Sequence, residues 1–108
     1  MLKKTDRLAR VDFLPFFKTG KRFHSTHLSA VYSAHPSFHA SVIISKKVSK
    51  RAVVRNTLRR RIYAHLRELK HEKTGVYIVT VKPLFATLTR QAMHEEIKTL
   101  IERMVKPA

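Results

Sequence analysis

The residues best placed to do chemistry are cations. A helix over about 52–71, drawn at about 100° per residue, puts Asn56, Arg59, Arg60, Tyr63, Arg67 and Lys70 on one arc, with Arg61 off to one side. Cations at i, i+4 spacing repel one another. A solvated helix face ordinarily mixes signs, but Glu68 is the only acid between Asp12 and Glu72. Such a face fits the phosphates of RNA or DNA. Arginine, which dominates it, has a planar fork that holds two phosphate oxygens and stacks on bases. Tyr63 has no apolar neighbour on this arc and reads as a stacking residue. The connection Lys46-Lys-Val-Ser-Lys-Arg51 leads into the helix, so Lys46, Lys47, Lys50, Arg51 and Arg55 extend the basic surface.

Other chemistry is thinner. Phe13, Phe16 and Phe17 share a short expected helix over about 13–19, with Asp12 as N-cap, Pro15 in its first turn and Gly20 at its end. They divide between core packing and stacking on an unpaired strand. Phe13 and Phe17, one turn apart, form one stripe, and Phe16 turns away. His24 and His27, three apart on a strand, point to opposite faces. His35 and His39 flank a turn and can approach, but no carboxylate near them in sequence completes a site. No metal site is expected. Glu68 and Glu72 share a helix face, and adjacent Glu95 and Glu96 diverge. A Mg²⁺-dependent hydrolase usually needs two or three clustered acids. There is neither a glycine-rich phosphate loop nor a nucleophile elbow.

The whole chain agrees with a polyanionic partner. Its 108 residues carry 23 Lys+Arg against 7 Asp+Glu, a formal charge of +16, so like charges repel in the compact state. Nucleic acid is the first candidate and an anionic membrane the second. The length fits one domain, expected over 1–108 with a basic arm at 1–11. The absence of Cys excludes disulfides, Cys-type zinc sites and thiol nucleophiles, and fits a reducing cytoplasm. No apolar run approaches the roughly 20 residues of a membrane helix, and MLKKTDRLAR has no apolar segment after its lysines, unlike a secretory signal.

The elements that must hold these residues follow from periodicity. Strands are expected in 21–33 and over 38–45, separated by the turn Ala34-His-Pro-Ser37 and paired antiparallel. Val54, Leu58, Ile62, Leu66 and Leu69 form the core stripe of the long helix. Val76–Val81, apolar at nearly every position, reads as a strand covered on both faces. Pro83 stops it. Thr89 caps a last helix with the stripe Met93, Ile97, Leu100, Ile101 and Met104. The class is α+β, a small mainly antiparallel sheet with helices packed on it.

The stretch Ser45-Lys-Lys-Val-Ser-Lys-Arg-Ala-Val-Val-Arg-Asn-Thr-Leu-Arg-Arg-Arg-Ile62 resembles the signature of the bacterial ribonuclease P protein component. That family has a strand ending in Ser-Lys-Lys, a loop, and a helix opening Arg-Asn-Arg and continuing with a basic pair. Arg55 and Asn56 match its first two positions, and Arg59 and Arg60 match the pair. Thr57 stands where the family usually has a third basic residue, and Tyr63 where it often has another arginine. Asp12-Phe13, Phe17-Lys18 and Gly20 resemble its first helix.

The resemblance implies a left-handed βαβ crossover from strand 38–45 through the long helix to strand 76–82, where general rules favour the right hand. It implies a non-catalytic protein subunit of ribonuclease P, an endoribonuclease in which an RNA subunit, binding Mg²⁺, removes the 5′ leader of precursor tRNA. The expected partners are that catalytic RNA and precursor tRNA, with no cofactor bound by the protein alone and no obligate protein partner. The leader is implied to lie in a cleft between the first helix and the sheet, against Phe13 and Phe17. The other readings are a ribosomal protein or RNA chaperone, and a protein-only metal-dependent nuclease using Glu68 and Glu72.

Overall fold

The computed structural model describes residues 20–70 and 73–105. The arm over 1–11, the helix over 13–19 with Phe13, Phe16 and Phe17, the side chain of Lys70, and Glu72 lie outside the described residues.

Four strands form one sheet: β1 (Lys21–His24), β2 (Leu28–Ser33), β3 (Phe38–Ile43) and β4 (Gly75–Val81). Their order is β1-β2-β4-β3. β1 with β2 and β2 with β4 are antiparallel, and β3 runs parallel to β4. The expected direct pairing of the strands around the Ala34–Ser37 turn is therefore corrected, because β4 lies between them. β4 is apolar and buried on both sides, so a central place with two strand neighbours suits it better than an edge. The segment Ala34–Ser37 then spans two strand spacings, about 10 Å, within reach of four extended residues.

Parallel pairing of β3 and β4 requires a crossover, and helix α1 (Ala52–Lys70) supplies it. After β4, Pro83–Thr87 makes a single 3₁₀ segment that buries Phe85. Helix α2 (Arg90–Val105) follows. Thr89 caps it as expected, its Oγ1 accepting from the Ala92 N–H at 3.2 Å. Both helices lie on one face of the sheet, α1 over β3 and α2 over β1 and β2. Between them Leu58, Ile62, Leu66 and Leu69 meet Met93, Ile97, Leu100 and Met104, with Leu28, Ala30, Ala40, Val42, Val79 and Val81 beneath. Val31, Val76 and Ile78 are buried on the opposite face.

Gly75 opens β4 at φ 120°. A Cβ there would stand 2.6 Å from Tyr32 Cε1, so only glycine lets the Tyr32 ring close on this strand. Tyr32 and Phe38 pack against Tyr77 with ring centroids 5.1 and 5.6 Å away.

Tyr63 is a second correction. It does not stand in the solvent among the arginines but is 4% exposed in the core. On the helix it lies about 60° beyond Leu66. The buried sector extends that far because α1 runs along the terminal strand β3. The Tyr63 hydroxyl there accepts the Val42 backbone N–H at 3.3 Å. Replacing Tyr63 by Phe should leave that buried amide without this acceptor and cost about 1–3 kcal/mol, read as a lowered thermal midpoint. An unchanged midpoint would return the hydroxyl to solvent.

Candidate nucleic-acid interface

From Lys46 to Arg67 the chain carries nine Lys and Arg residues and no acid. Local packing makes this run a surface. Val48 is 8% exposed and anchors the turn after β3, whose Val48 N–H donates to the Ser45 carbonyl at 3.1 Å. With Val48 pinned inward, its neighbours Lys46 and Lys47 are driven outward, and both are exposed, as are Lys50 and Arg51. Arg55 closes the turn onto the helix, its Nη1 donating to the Ser49 carbonyl at 2.8 Å. The first turn of α1 has no acid, so the positive end of the helix dipole adds to the same field.

Further along α1, Asn56, Arg60 and Arg67 are exposed and Arg59 is half-buried. Arg59 Nη1 donates to Asn56 Oδ1 at 2.9 Å, which holds the guanidinium along the helix. Thr57 turns its hydroxyl back onto the Val53 carbonyl at 2.9 Å and brings no charge. Arg61 leaves this face and reaches Met93 Sδ at 3.3 Å. The structure thus leaves Lys46, Lys47, Lys50, Arg51, Arg55, Asn56, Arg59, Arg60 and Arg67 exposed or half-buried along the turn and α1, and withdraws Tyr63 into the core. Phe13 and Phe17 fall outside the described residues.

The sheet face opposite the helices is the other surface of interest. Paired registers set Arg22, Val31, Ile78 and Ser41 in one row, and His24, Ser29, Thr80 and Ile43 in the next. At one end His39 follows, beside Val76. His35 and His39 do approach, as expected, with centroids 5.1 Å apart. Ser37 Oγ lies 3.1 Å from His35 Nδ1 and 3.0 Å from His39 Nε2.

Sequence reasoning missed a polar clamp. Glu96 on α2 accepts from Ser25 Oγ at 2.5 Å and from the His27 N–H at 2.7 Å, and its other oxygen meets His27 Nδ1 at 2.7 Å. Lys82 Nζ donates to the Ser25 carbonyl at 2.9 Å and Arg103 Nη1 to the His24 carbonyl at 2.6 Å. The β1–β2 turn is thereby tied to α2. Burial works against the Glu96 charge, but hydrogen bonds from Ser25 and His27, with the His27 ring beside it, outweigh that and hold its pKa below the ordinary 4.5. The partners lie 69 and 71 residues apart, and the only local signal was an acid in a chain nearly devoid of them. Among the described residues no helix is long and apolar enough to cross a membrane.

Residues 2–105 match the family model described as Ribonuclease P. The ribonuclease P protein component of Microcystis aeruginosa is 36% identical over 100 residues, spanning 85% of this chain and 83% of that protein. That of a Cyanothece species is 34% identical over 123 residues, spanning 94% and 93%. The fold is similar to that of the Staphylococcus aureus RNase P protein, with a TM-score of 0.85 at 19% identity over 94% of this chain and 97% of that one.

The clamp has a pH signature. Above the ordinary 4.5 the carboxylate is charged in folded and unfolded chains alike, and its stabilisation is complete. As pH falls below that value the unfolded chain takes up the proton first, and the contribution disappears as pH passes the lower folded value. The stability gap between wild type and Glu96→Gln, from urea midpoints across acid pH, should therefore close in this window. A gap that stays constant with pH would refute the charged clamp.

Proposed function

The chain belongs to the ribonuclease P protein family, and from that premise we propose that it works by binding two RNAs, the catalytic RNA subunit and the 5′ leader of precursor tRNA. It is a protein subunit of ribonuclease P, which acts in tRNA processing. In this reading the bond-breaking chemistry belongs to the RNA subunit and the Mg²⁺ bound with it, in the cytoplasm. The protein contributes charge and position.

The observation that carries the reading is the acid-free run from Lys46 to Arg67, with exposed cations on both the turn and the helix. Neutralising phosphates there releases counterions from the RNA, so the affinity is driven by charge and falls with salt. Its cations are spread along a turn and 19 residues of helix, a shape that follows a folded RNA backbone. The leader takes the other surface. Unpaired bases stack on aromatic rings and offer their edges to polar side chains. Phe13 and Phe17 supply the rings, and His39, Ser41, Thr80 and Arg22 the polar groups. Among the described residues the carboxylates are Glu68 in the last turn of α1 and Glu95, Glu96 and Glu102 on α2.

Reconstitution tests the reading. Precursor tRNA with Mg²⁺ should be cut by the catalytic RNA, cut better with the protein added, and left intact by the protein alone. Cleavage by the protein alone would make it a nuclease, and RNA binding without improved processing would make it a chaperone or ribosomal protein. Glu68→Ala and Glu72→Ala should leave leader removal nearly unchanged. Phe17→Ala should weaken precursor tRNA binding about tenfold or more while sparing mature tRNA, since one stacked base is worth about 1–3 kcal/mol. Arg59→Ala, Arg60→Ala and Arg67→Ala should each lower the salt slope of RNA affinity by about one. An unchanged slope in the folded triple variant would detach this face from phosphate.

A further inference from the structure

Two imidazoles meet across the helix pair, outside both RNA surfaces. His65 Nε2 on α1 and His94 Nδ1 on α2 lie 2.8 Å apart, with ring centroids 5.0 Å apart and planes at 48°. Both rings are half-buried. A cavity of about 310 Å³ opens beside His65, lined by Leu69, Ile101 and Val105 and rimmed by Glu68, Glu102 and Lys98. Glu68 follows His65 by three residues and therefore shares its side of the helix.

We infer that His65 and His94 form a two-imidazole site for a borderline divalent transition ion of the zinc class, with Glu68, which lines the same cavity as His65, as the nearest carboxylate in sequence.

Imidazole nitrogens suit Zn²⁺, Co²⁺, Ni²⁺ and Cu²⁺, whereas Mg²⁺ and Ca²⁺ take oxygen ligands. Two nitrogens at about 2.0–2.1 Å from a tetrahedral ion stand about 3.3 Å from each other. The observed 2.8 Å thus needs an opening of only about half an ångström, plus a tilt of each ring to bring both lone pairs onto one point. Side-chain torsions supply this without moving either helix.

The rings must also be unprotonated to bind. Burial, then the neighbouring His94 ring, lowers the His65 pKa, with Lys98 acting in the same direction and Glu68 against them. Among the described residues no three ligating side chains already converge, so Glu68, which is exposed, must rotate in, and water completes the shell. Among the described residues, Lys98 is the one Lys or Arg that lines the cavity. It is exposed and one helical turn from Glu102, which offers it a partner away from the ion.

A bound ion would cross-link the RNA-facing helix to α2, in place of the single hydrogen bond that now joins the two rings. The site uses no residue of the basic surface and does not depend on its role.

The test uses the full purified chain without RNA. Zn²⁺ should bind saturably, one ion per chain, and raise the thermal midpoint, whereas Mg²⁺ should do neither at this site. Co²⁺ should show the visible absorption of a nitrogen-ligated ion. His94→Gln, which keeps a side-chain amide facing His65, should weaken Zn²⁺ binding on the order of tenfold or more. Glu68→Gln, at an exposed position, should weaken it less and leave the ion-free midpoint unchanged, so the outcome survives if His94→Gln folds poorly. The His35→Gln/His39→Gln double variant should bind as wild type does. No saturable Zn²⁺ binding up to millimolar concentration, or binding lost in the His35/His39 variant but kept in His94→Gln and Glu68→Gln, would overturn the site. The pair would then be a proton-sharing contact between helices.

Discussion

The structure depends on where β4 sits. A strand apolar on both faces must be enclosed on both, and it needs a strand on each edge to satisfy its backbone. β2 takes one edge antiparallel and β3 the other in parallel. That parallel pair cannot be joined by a tight turn, so the chain from β3 must cross over the sheet as α1 before β4 begins. The basic helix is thus the crossover itself, and the basic turn is the point where the crossover leaves the sheet. The backbone that carries its Lys and Arg residues is anchored by the packing of Leu58, Ile62, Leu66 and Val48 beneath it, which sets where the cations emerge before any anion arrives.

Charge is then sorted by element. From Lys46 to Arg67 the turn and α1 carry cations with no acid among them in sequence, and Glu68 is the single described acid of α1, while α2 carries Glu95, Glu96 and Glu102. Of these, Glu96 is consumed internally by Ser25 and His27. A chain with a formal charge of +16 is strained by self-repulsion until a polyanion is bound. The clamp at Glu96 offsets part of this at the one place where the short strand β1 would otherwise be held mainly by its pairing with β2.

Local pattern made much of this legible, and distance in sequence hid the rest. The stripes Leu58–Leu69 and Met93–Met104 emerged correctly because helical periodicity reports burial directly. The basic surface was legible because it is one run of sequence. Tyr63 was misplaced because an angular plot cannot show that α1 lies along a sheet edge, where the buried sector widens toward β3. The β2–β3 pairing was misjudged because adjacency in sequence favours neighbours, whereas the two-sided hydrophobicity of β4, itself visible, gave it the central position. The meetings of Glu96 with His27 and of His65 with His94 rest on the angle at which α2 crosses the sheet and α1, which no local spacing encodes.

The bond between Tyr63 and the Val42 amide has a consequence for the free polypeptide. β3 is a terminal strand, and an open strand edge is a template on which another chain can add. α1 lies along that margin, and the Tyr63 hydroxyl occupies one of its amides. The opposite margin, β1, is four residues long and presents Lys21 and Arg22. Both ends of the sheet are thus guarded, one by a helix and one by brevity and charge. Free copies of this chain therefore offer one another, among the described residues, no long bare strand edge on which a sheet could extend.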